Sequence, residues 1–236
     1  MLSLIKRHDT LVTKLARYAS KLKSVNLTSP HLWFDETRKI HRKIICHIGP
    51  TNSGKTYTAL QRLKESRRGL YCGPLRLLAW EVCETLRSEN IKCNLITGNE
   101  RELFECGGTH TSSTVEMVDL YKEYDVAVID EAQLIGDAER GWAWTQAFLG
   151  VKATEVHMCG SPTLLPIITS LTKLTNDTLE VRSYKRLSPL HVENSAVNDL
   201  SRVRPGDCIV GFSRRMLFAY KDRIERTNPG LRCCVI

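Results

Sequence analysis

The chain has 236 residues, 42% of them hydrophobic and 25% charged, which is typical of a globular protein of one or two domains. No apolar run approaches the ~20 residues that a membrane-spanning helix needs, so such a helix is excluded. The net charge of +8 is uneven, because residues 1–43 and 202–232 are basic whereas residues 44–201 carry a slight excess of Asp and Glu. Basic flanks favour a nucleic-acid partner, with an ordinary solvated surface as the alternative.

Residues 1–43 form a basic segment that leads into the first predicted strand. Within it, residues 1–25 combine Lys and Arg with spaced leucines, serines and few acids. This profile is typical of a mitochondrial transit peptide, with a surface helix packed on the core as the alternative. Pro30 marks a linker, and the side chains of Trp33 and Phe34 are predicted to pack on the core.

A phosphate-binding loop is predicted between a buried strand at residues 43–48 and a helical pattern that starts at Tyr57. The intervening sequence fits G-x-x-x-x-G-K-[ST], and the strand and helix provide the context that this motif needs. Backbone N–H groups would bind phosphate oxygens, Gly54 would permit close approach, and Lys55 would reach the β- and γ-phosphates of ATP. The Thr56 hydroxyl would be a ligand of Mg²⁺. The predicted ATP-binding residues are Gly49, Pro50, Thr51, Asn52, Ser53, Gly54, Lys55 and Thr56.

After this loop, short apolar runs alternate with helical patterns. Strands that alternate with helices predict an α/β fold with a parallel sheet and flanking crossover helices. In such sheets the ligand lies beyond the carboxyl ends of the strands. The predicted strands are residues 69–73, 93–97, 124–130 and 155–160, and the predicted helices are residues 57–64, 75–89 and 140–149.

Two acids end the most apolar of these strands. Residues 126–129 read Val-Ala-Val-Ile, and Asp130 and Glu131 follow directly. In a phosphate-loop enzyme the first acid orients Mg²⁺ and the second polarises the attacking water. We therefore predict a catalytic set of Lys55, Asp130 and Glu131, with Thr56 and Asp130 as the metal ligands. An acidic turn without function is the alternative, and the phosphate loop argues against it because the loop requires such a partner.

The nine cysteines include no C-x-x-C pair, so a zinc ribbon is disfavoured. Cys106 and His110 are four residues apart, and no second pair completes a metal site. Several cysteines fall in apolar runs, where a free thiol behaves as a small hydrophobic side chain. Their odd number and these positions predict a reducing compartment.

The Asp-Glu-Ala-Gln sequence at residues 130–133 resembles the D-E-x-[HQ] box of superfamily-two helicases. With other strings, it resembles the RNA helicase of the mitochondrial degradosome, the suppressor-of-var family, from about Leu27 to the end of the sequence. The other strings are Gly-Pro-Thr-Asn-Ser-Gly-Lys-Thr-Tyr, Tyr-Cys-Gly-Pro-Leu-Arg-Leu-Leu-Ala, Thr-Gly-Asn-Glu-Arg, Ser-Ser-Thr-Val-Glu-Met, Arg-Gly-Trp-Ala-Trp-Thr, Glu-Val-His-Met-Cys-Gly and Arg-Pro-Gly-Asp-Cys-Ile-Val.

This resemblance implies a RecA-like phosphate-loop NTPase that uses ATP and Mg²⁺ to unwind RNA. It implies that Gln133 senses the γ-phosphate, and that Gly160 and Ser161 couple hydrolysis to strand movement. It also implies a 3′-to-5′ exoribonuclease partner and a location in the mitochondrial matrix, with a further nuclear pool. The positions that would face the RNA backbone are Pro74, Arg76, Thr97, Gly98 and Thr114.

The residues alone predict less than the resemblance does. Loop N–H groups, an arginine and threonine hydroxyls hold phosphates without reading bases, so they predict a phosphate backbone but not RNA in particular. Taken by itself, Arg76 is predicted to be a solvated helix residue. Trp142 and Trp144 are predicted to pack in the core rather than to stack on bases.

The domain organisation follows from these assignments. We expect a first RecA-like domain at residues 44–185, a linker at residues 186–205, and the start of a second RecA-like domain at residues 206–236. This last part is predicted to contain strands at residues 208–212 and 231–236 around a helix from Arg214 to about Arg226.

No Q-x-x-G-R-x-x-R segment, which would supply arginine fingers in this superfamily, follows in the sequence. We therefore expect the second domain to be incomplete and the chain alone to be poorly active. The alternatives are a truncated or regulatory ATP-binding and RNA-binding module without unwinding activity, and a small-molecule kinase. An arginine-rich lid is not evident and the Asp-Glu-Ala-Gln box has no role in kinase chemistry, which argues against the kinase.

Overall fold

The computed structural model describes residues 29–104 and 107–236. The predicted transit peptide and Cys106 lie outside the described residues. Among the residues described, no helix is both long and apolar enough to cross a membrane. The strands are β1 (Lys43–Ile48), β2 (Gly69–Gly73), β3 (Cys93–Ile96), β4 (Arg101–Glu102), β5 (His110–Thr114), β6 (Glu123–Ile129), β7 (Lys152–Gly160) and β8 (Thr178–Ser183). The α-helices are α1 (Asp35–Arg38), α2 (Lys55–Lys64), α3 (Arg76–Ser88), α4 (Gly141–Gly150), α5 (Leu165–Thr175) and α6 (Arg214–Thr227).

The described strands form one sheet in the order β4-β3-β5-β2-β6-β7-β1-β8. Every neighbouring pair is parallel except β3 with β4. The predicted α/β architecture with a parallel sheet is therefore confirmed. Because β7 lies between β1 and β6, the phosphate loop after β1 and the acids after β6 extend from the same carboxyl edge on either side of β7.

Alternating side chains of the central strands serve two separate cores. Val126 and Val128 of β6 pack with Leu63 of α2 and Leu86 of α3 on one face. Ala127 and Ile129 face the opposite core, which contains α4 and α5. Both faces are covered, which explains why β6 reads as an uninterrupted apolar run. In the part of the chain that the structure describes, five cysteines are buried free thiols, namely Cys46, Cys72, Cys83, Cys93 and Cys159.

The lead-in to β1 corrects one part of a prediction. The Phe34 side chain packs against the core, as predicted, and the position of Gly150 leaves room for its ring. Trp33 was predicted to pack in the same way, but its side chain is half exposed. Trp33 lies between the short turn at Pro30–Leu32 and helix α1, and of the two aromatic residues only Phe34 belongs to the side chains packed on the core cluster.

The chain divides into two compact units, one ending at Ser188 and the other spanning Pro189–Ile236. The second unit contains a single turn of 3₁₀-helix at Leu200–Arg202 and the amphipathic helix α6, which was predicted. The strands predicted at residues 208–212 and 231–236 are not formed in the described chain. A strand requires backbone hydrogen bonds to a neighbour, whereas the N–H of Cys233 donates to the Glu225 carboxylate over 2.9 Å.

Candidate nucleotide site and nucleic-acid edge

The phosphate loop connects β1 to α2, and its residues include both right-handed and left-handed backbone conformations. It follows Ile48, the last residue of β1, and α2 begins at Lys55. Asn52 and Gly54 both adopt left-handed backbone conformations, with φ of 54° and 78°. Alternating handedness turns successive N–H groups toward one side of the chain, which is the geometry of an anion-binding nest. The loop therefore has the local shape that phosphate binding requires.

Two polar side chains in the loop are buried without adequate partners. The Lys55 side chain is 7% exposed, and its ammonium donates to the carbonyl of Pro50 over 3.2 Å. No ion pair to Lys55 is formed in the described residues. The Ser53 hydroxyl is buried without a hydrogen-bond partner there. A buried cation beside an unsatisfied hydroxyl is costly, and an anionic ligand would satisfy both groups.

Asp130 occupies a buried position where three donors converge. Thr56 Oγ1 donates to Asp130 Oδ1 over 3.0 Å, Tyr71 Oη donates to Oδ2 over 3.2 Å, and the N–H of Glu131 donates to Oδ1 over 2.9 Å. Burial raises the pKa of Asp130, although these hydrogen bonds oppose the shift. A hydroxyl and a carboxylate are hard oxygen ligands, so Thr56 and Asp130 fit Mg²⁺.

The turn after β6 places Glu131 in an unusual conformation. Its φ is 46°, a left-handed value that costs a non-glycine residue about 1–2 kcal/mol. The turn is held by the indole N–H of Trp144, which donates to the Asp130 carbonyl over 3.0 Å, and by a short hydrogen bond from the Gln133 amide to the Glu131 carboxylate. Glu131 remains partly accessible beside the buried Asp130. This is the arrangement expected of an acid that contacts a substrate water.

Trp142 and Trp144 differ although both were predicted to be core residues. Trp144 is fully buried beneath the acid turn, which confirms the prediction for that residue. Trp142 is 57% exposed, so its predicted core position is wrong. Two residues of helix separate their directions by about 200°, and only one side of the first turn of α4 faces the sheet.

Gln133 connects the acid turn to the end of β7. Its side-chain oxygen accepts a hydrogen bond from the N–H of Ser161 over 3.1 Å. A Cβ on Gly160 would lie 2.7 Å from that same oxygen. The three residues predicted to sense and transmit nucleotide state are therefore in direct contact, and their contact depends on the absence of a side chain at residue 160.

The positions predicted to face RNA follow neighbouring parallel strands, but their side chains differ in exposure. Gly73 of β2 is paired with Thr114 of β5, which brings Pro74 beside Thr114. Arg76 and Gly98 are exposed. Pro74, Thr97 and Thr114 are buried, and the Thr97 hydroxyl accepts from the N–H of Glu100 over 3.0 Å. At this edge, the groups that could contact a nucleic-acid phosphate are therefore the Arg76 side chain and the exposed main chain at Gly98.

Arg140 is a residue of this edge that the sequence analysis missed. Its guanidinium donates to the Pro74 carbonyl over 2.7 Å and forms an ion pair of 2.7 Å with Glu116. It thereby links the loops after β2 and β5 to the start of α4. The Arg-Gly-Trp string that carried the family resemblance contains this arginine, and that string was the available signal. Tyr71, which binds Asp130, lies in a matching string as well.

The pairing of a nest-shaped loop with an acid turn across one intervening strand is the arrangement of the phosphate-loop NTPases, and the unit that ends at Ser188 is a RecA-like domain of that class. Within this class the match is narrower. The DEXQ-box helicase domain of Suv3 matches residues 30–184, and the chain belongs to that family.

Two curated relatives extend the comparison. The chain is 50% identical over 217 residues to the DExH-box ATP-dependent RNA helicase DExH16, mitochondrial, of Arabidopsis thaliana, covering 92% of this chain and 38% of the relative. It is 49% identical over 218 residues to the ATP-dependent RNA helicase SUV3, mitochondrial, of Saccharomyces cerevisiae, covering 90% of this chain and 29% of the relative. The chain thus spans between a quarter and two fifths of the length of these relatives.

Among solved structures, a DEAD box protein from Methanococcus jannaschii aligns with 64% of this chain and 47% of its own, at 16% sequence identity and a TM-score of 0.45.

Proposed function

We propose that this chain is the ATP-binding part of an ATP-dependent RNA helicase. The observation that carries the proposal is the buried Lys55 ammonium, which has a carbonyl as its partner, beside the Thr56–Asp130 pair. A phosphate group would provide the ionic partner for Lys55 and an acceptor for the Ser53 hydroxyl. Membership of the Suv3 helicase-domain family and the names of the relatives support ATP and RNA as the ligands.

The residues of the site would divide the chemistry among them. The loop N–H groups and Lys55 bind the triphosphate, and Thr56 and Asp130 hold Mg²⁺. When bound, Mg²⁺ neutralises charge on the phosphate oxygens. Glu131, which is partly accessible, accepts a proton from the attacking water.

Gln133 would report the state of the nucleotide to the RNA edge. It contacts Glu131 on one side and the Ser161 N–H on the other, so a displacement of Glu131 by nucleotide would reach the end of β7. At the adjacent strand ends, Arg76 and exposed backbone near Gly98 would hold RNA phosphates without selecting a sequence. The net charge of +8 on the whole chain favours attraction to a phosphate backbone.

ATP hydrolysis measured with and without single-stranded RNA tests this proposal. We expect the chain to hydrolyse ATP slowly and RNA to raise this low rate. We expect Lys55→Ala to lower ATP affinity roughly 10–100-fold, because a charged hydrogen bond contributes about 1.5–3 kcal/mol. Circular dichroism of the variant should match that of the native chain. ATP binding without any response to RNA would instead support the non-unwinding module, and unchanged affinity in Lys55→Ala would refute the nucleotide site.

We also propose a mitochondrial location, because the relatives are named mitochondrial helicases. A fusion of residues 1–25 to a fluorescent protein should enter mitochondria, whereas diffuse fluorescence would favour a surface helix. The matrix as the compartment, a nuclear pool and a 3′-to-5′ exoribonuclease partner remain predictions from the family resemblance. Affinity purification of the tagged chain, followed by an exonuclease assay, tests the last of these.

A further inference from the structure

The chain that leaves β8 runs against the phosphate loop. We call residues 184–188 the strap. Its first residue, Tyr184, donates its N–H to the carbonyl of Ile48 over 2.8 Å. Gly49 lies so close that a Cβ at this position would be 2.9 Å from both the Cβ and the carbonyl oxygen of Tyr184. The first residue of the loop therefore packs directly on the strap.

Arg186 binds Thr51 of the phosphate loop through its side chain. Its Nη1 donates to the carbonyl oxygen of Thr51 over 3.2 Å and to the Thr51 hydroxyl over 2.9 Å. Its Nε donates to the carbonyl of Ser188 over 2.9 Å, which fixes the guanidinium plane. The planar fork of arginine is suited to such a multidentate contact, in which one side chain binds both the strap and the loop.

Asn52, the strained residue of the loop, is bound by the strap on both its backbone and its side chain. The N–H of Leu187 donates to the Asn52 carbonyl over 2.8 Å, and the Asn52 amide donates to the Ser188 hydroxyl over 2.8 Å. Asn52 has φ of 54°. A left-handed non-glycine residue persists where its surroundings fix it, and here the strap supplies the partners.

A buried hydrogen-bonded chain fixes the base of the strap. The Tyr184 hydroxyl lies 2.7 Å from Nδ1 of His47, Nε2 of His47 lies 2.8 Å from Nδ1 of His157, and Nε2 of His157 lies 2.7 Å from the Glu155 carboxylate. Arg62 of α2 binds the same carboxylate over 3.1 Å. Because a carboxylate only accepts, each imidazole donates toward Glu155 and the tyrosine donates to His47.

From these contacts we propose that Arg186 is a positioning residue for the nucleotide, and that the strap holds the phosphate loop in its phosphate-binding conformation before ATP arrives. The proposal rests on the proposed ATP-binding function. A loop that is already ordered loses less conformational entropy on binding, so the strap contributes to affinity. Arg186 contacts the backbone and the hydroxyl of Thr51 rather than the reacting atoms, so the rate of the chemical step should change little when its side chain is removed.

The test compares Arg186→Ala with Lys185→Ala. Both variants remove one positive charge from adjacent residues, but only Arg186 contacts the loop, since Lys185 makes no hydrogen bond or ion pair in the described chain. Titration with a fluorescent ATP analogue should show roughly tenfold weaker binding for Arg186→Ala and less than a twofold change for Lys185→Ala. The KM for ATP should rise to the same extent while kcat stays within about twofold.

A double-mutant cycle isolates the contact itself. Thr51→Val keeps the shape of residue 51 but removes the hydroxyl that Arg186 binds. If the strap acts through this contact, the affinity loss in the double variant should be smaller than the product of the two single losses. Independent, multiplicative losses would contradict the proposal, as would equal losses in Arg186→Ala and Lys185→Ala, or tighter binding in Arg186→Ala.

Hydrogen exchange of the nucleotide-free chain separates this proposal from the proposed function. Backbone amides of the loop should exchange faster in Arg186→Ala than in the native chain or in Lys185→Ala. If the native chain fails to bind the ATP analogue, the proposed ATP-binding function is refuted, and so is the proposal that Arg186 positions the loop for the nucleotide. If the native chain binds the analogue but Arg186→Ala changes neither exchange nor affinity, only the strap proposal is refuted.

Discussion

Thr56 and Asp130, which are 74 residues apart in the sequence, are joined by a hydrogen bond of 3.0 Å between their side chains. Thr56 lies in the first turn of α2, which follows β1, and Asp130 lies directly after β6. In the sheet, β7 separates β1 from β6. The bond brings a hydroxyl and a carboxylate oxygen together at the residue that follows Lys55. This contact gives the first prediction a direct structural basis.

Asp130→Asn should abolish the dependence of ATP affinity on Mg²⁺. The amide keeps the shape of the carboxylate, and its oxygen can still accept from Thr56, whereas its NH2 group would face Tyr71, whose hydroxyl can accept instead. It lacks the negative charge that a divalent ion needs. Titrations of the ATP analogue in the presence of Mg²⁺ and of a chelator measure the gain in ATP affinity that Mg²⁺ gives to each protein. Burial raises the pKa of Asp130, so protonation should reduce the Mg²⁺-dependent gain of the native chain at a higher pH than an exposed carboxylate would require. If Mg²⁺ raised the ATP affinity of the variant as much as that of the native chain, Asp130 would not be a ligand of the metal.

Glu131→Gln should bind ATP with nearly native affinity and hydrolyse it roughly 10²–10⁴-fold more slowly. This range is typical of the loss of a general base, which acts in the transition state rather than in binding. Glu139→Gln, at an exposed position in the same stretch of chain, is the matched control and should hydrolyse ATP normally. Normal turnover by Glu131→Gln would transfer the role of base to another group.

Gly160→Ala should separate ATP binding from the response to RNA. The new Cβ would lie 2.7 Å from the Gln133 side-chain oxygen and displace it from the Ser161 N–H, at a cost of about 1–3 kcal/mol in stability. Gly136→Ala serves as control because a Cβ there has no neighbour within 4 Å. We expect Gly160→Ala to bind ATP while losing RNA stimulation, as Gln133→Ala should. Full stimulation in Gly160→Ala, measured by ATPase assay, would disprove this coupling.

The buried histidine pair should make the fold sensitive to mild acid. Burial, with the neighbouring His157, lowers the pKa of His47 to about 4, against about 6.5 in an unfolded chain. The unfolded state therefore binds more protons between these values, and stability should fall as pH decreases from 6.5 toward 4. His47 alone would contribute on the order of 2 kcal/mol between pH 7 and pH 5.

Urea unfolding of the native chain and of His47→Gln at these two pH values measures this contribution. The other titrating groups are common to both proteins, so the difference between their pH dependences reports His47 together with its effect on the hydrogen-bonded His157. Circular dichroism at pH 7 establishes that the variant is folded. Identical pH dependence in the two proteins would show that His47 is not buried in its neutral form.

The parts of the fold that could be predicted are those with long apolar strands and local motifs. Strands β1 and β6 are continuous apolar runs, and the loop and acid pair are contiguous in sequence, so their positions followed directly. Strand β5 was missed because its sequence, His-Thr-Ser-Ser-Thr, is polar. Its residues are nevertheless buried, and two of its hydroxyls donate to backbone carbonyls, Ser112 to Ala79 over 2.6 Å and Ser113 to Tyr71 over 3.4 Å. Amino-acid composition does not show that these hydroxyls have buried hydrogen-bond partners.

Contacts between distant residues were beyond the sequence analysis. Strand β8 lies at the edge of the sheet and is only partly buried, so it lacks an apolar run and was not predicted. Because the strap follows β8, its position beside the phosphate loop could not be predicted either. The contact of Arg186 with Thr51 joins residues 135 apart, and no local pattern marks it. The buried pair of His47 and His157 likewise depends on the adjacency of β1 and β7.

Trp144 places a spectroscopic probe beneath the acid turn. Its indole N–H donates to the Asp130 carbonyl from a fully buried position, whereas Trp80 and Trp142 have substantially exposed side chains. The indole resonance of Trp144 in a ¹H–¹⁵N spectrum should therefore shift downfield and exchange slowly with solvent. Because its acceptor is the carbonyl of a proposed metal ligand, that resonance should move when Mg²⁺ and nucleotide are added. A single side-chain signal would then follow occupancy of the site at residue-level resolution without any introduced label at the site.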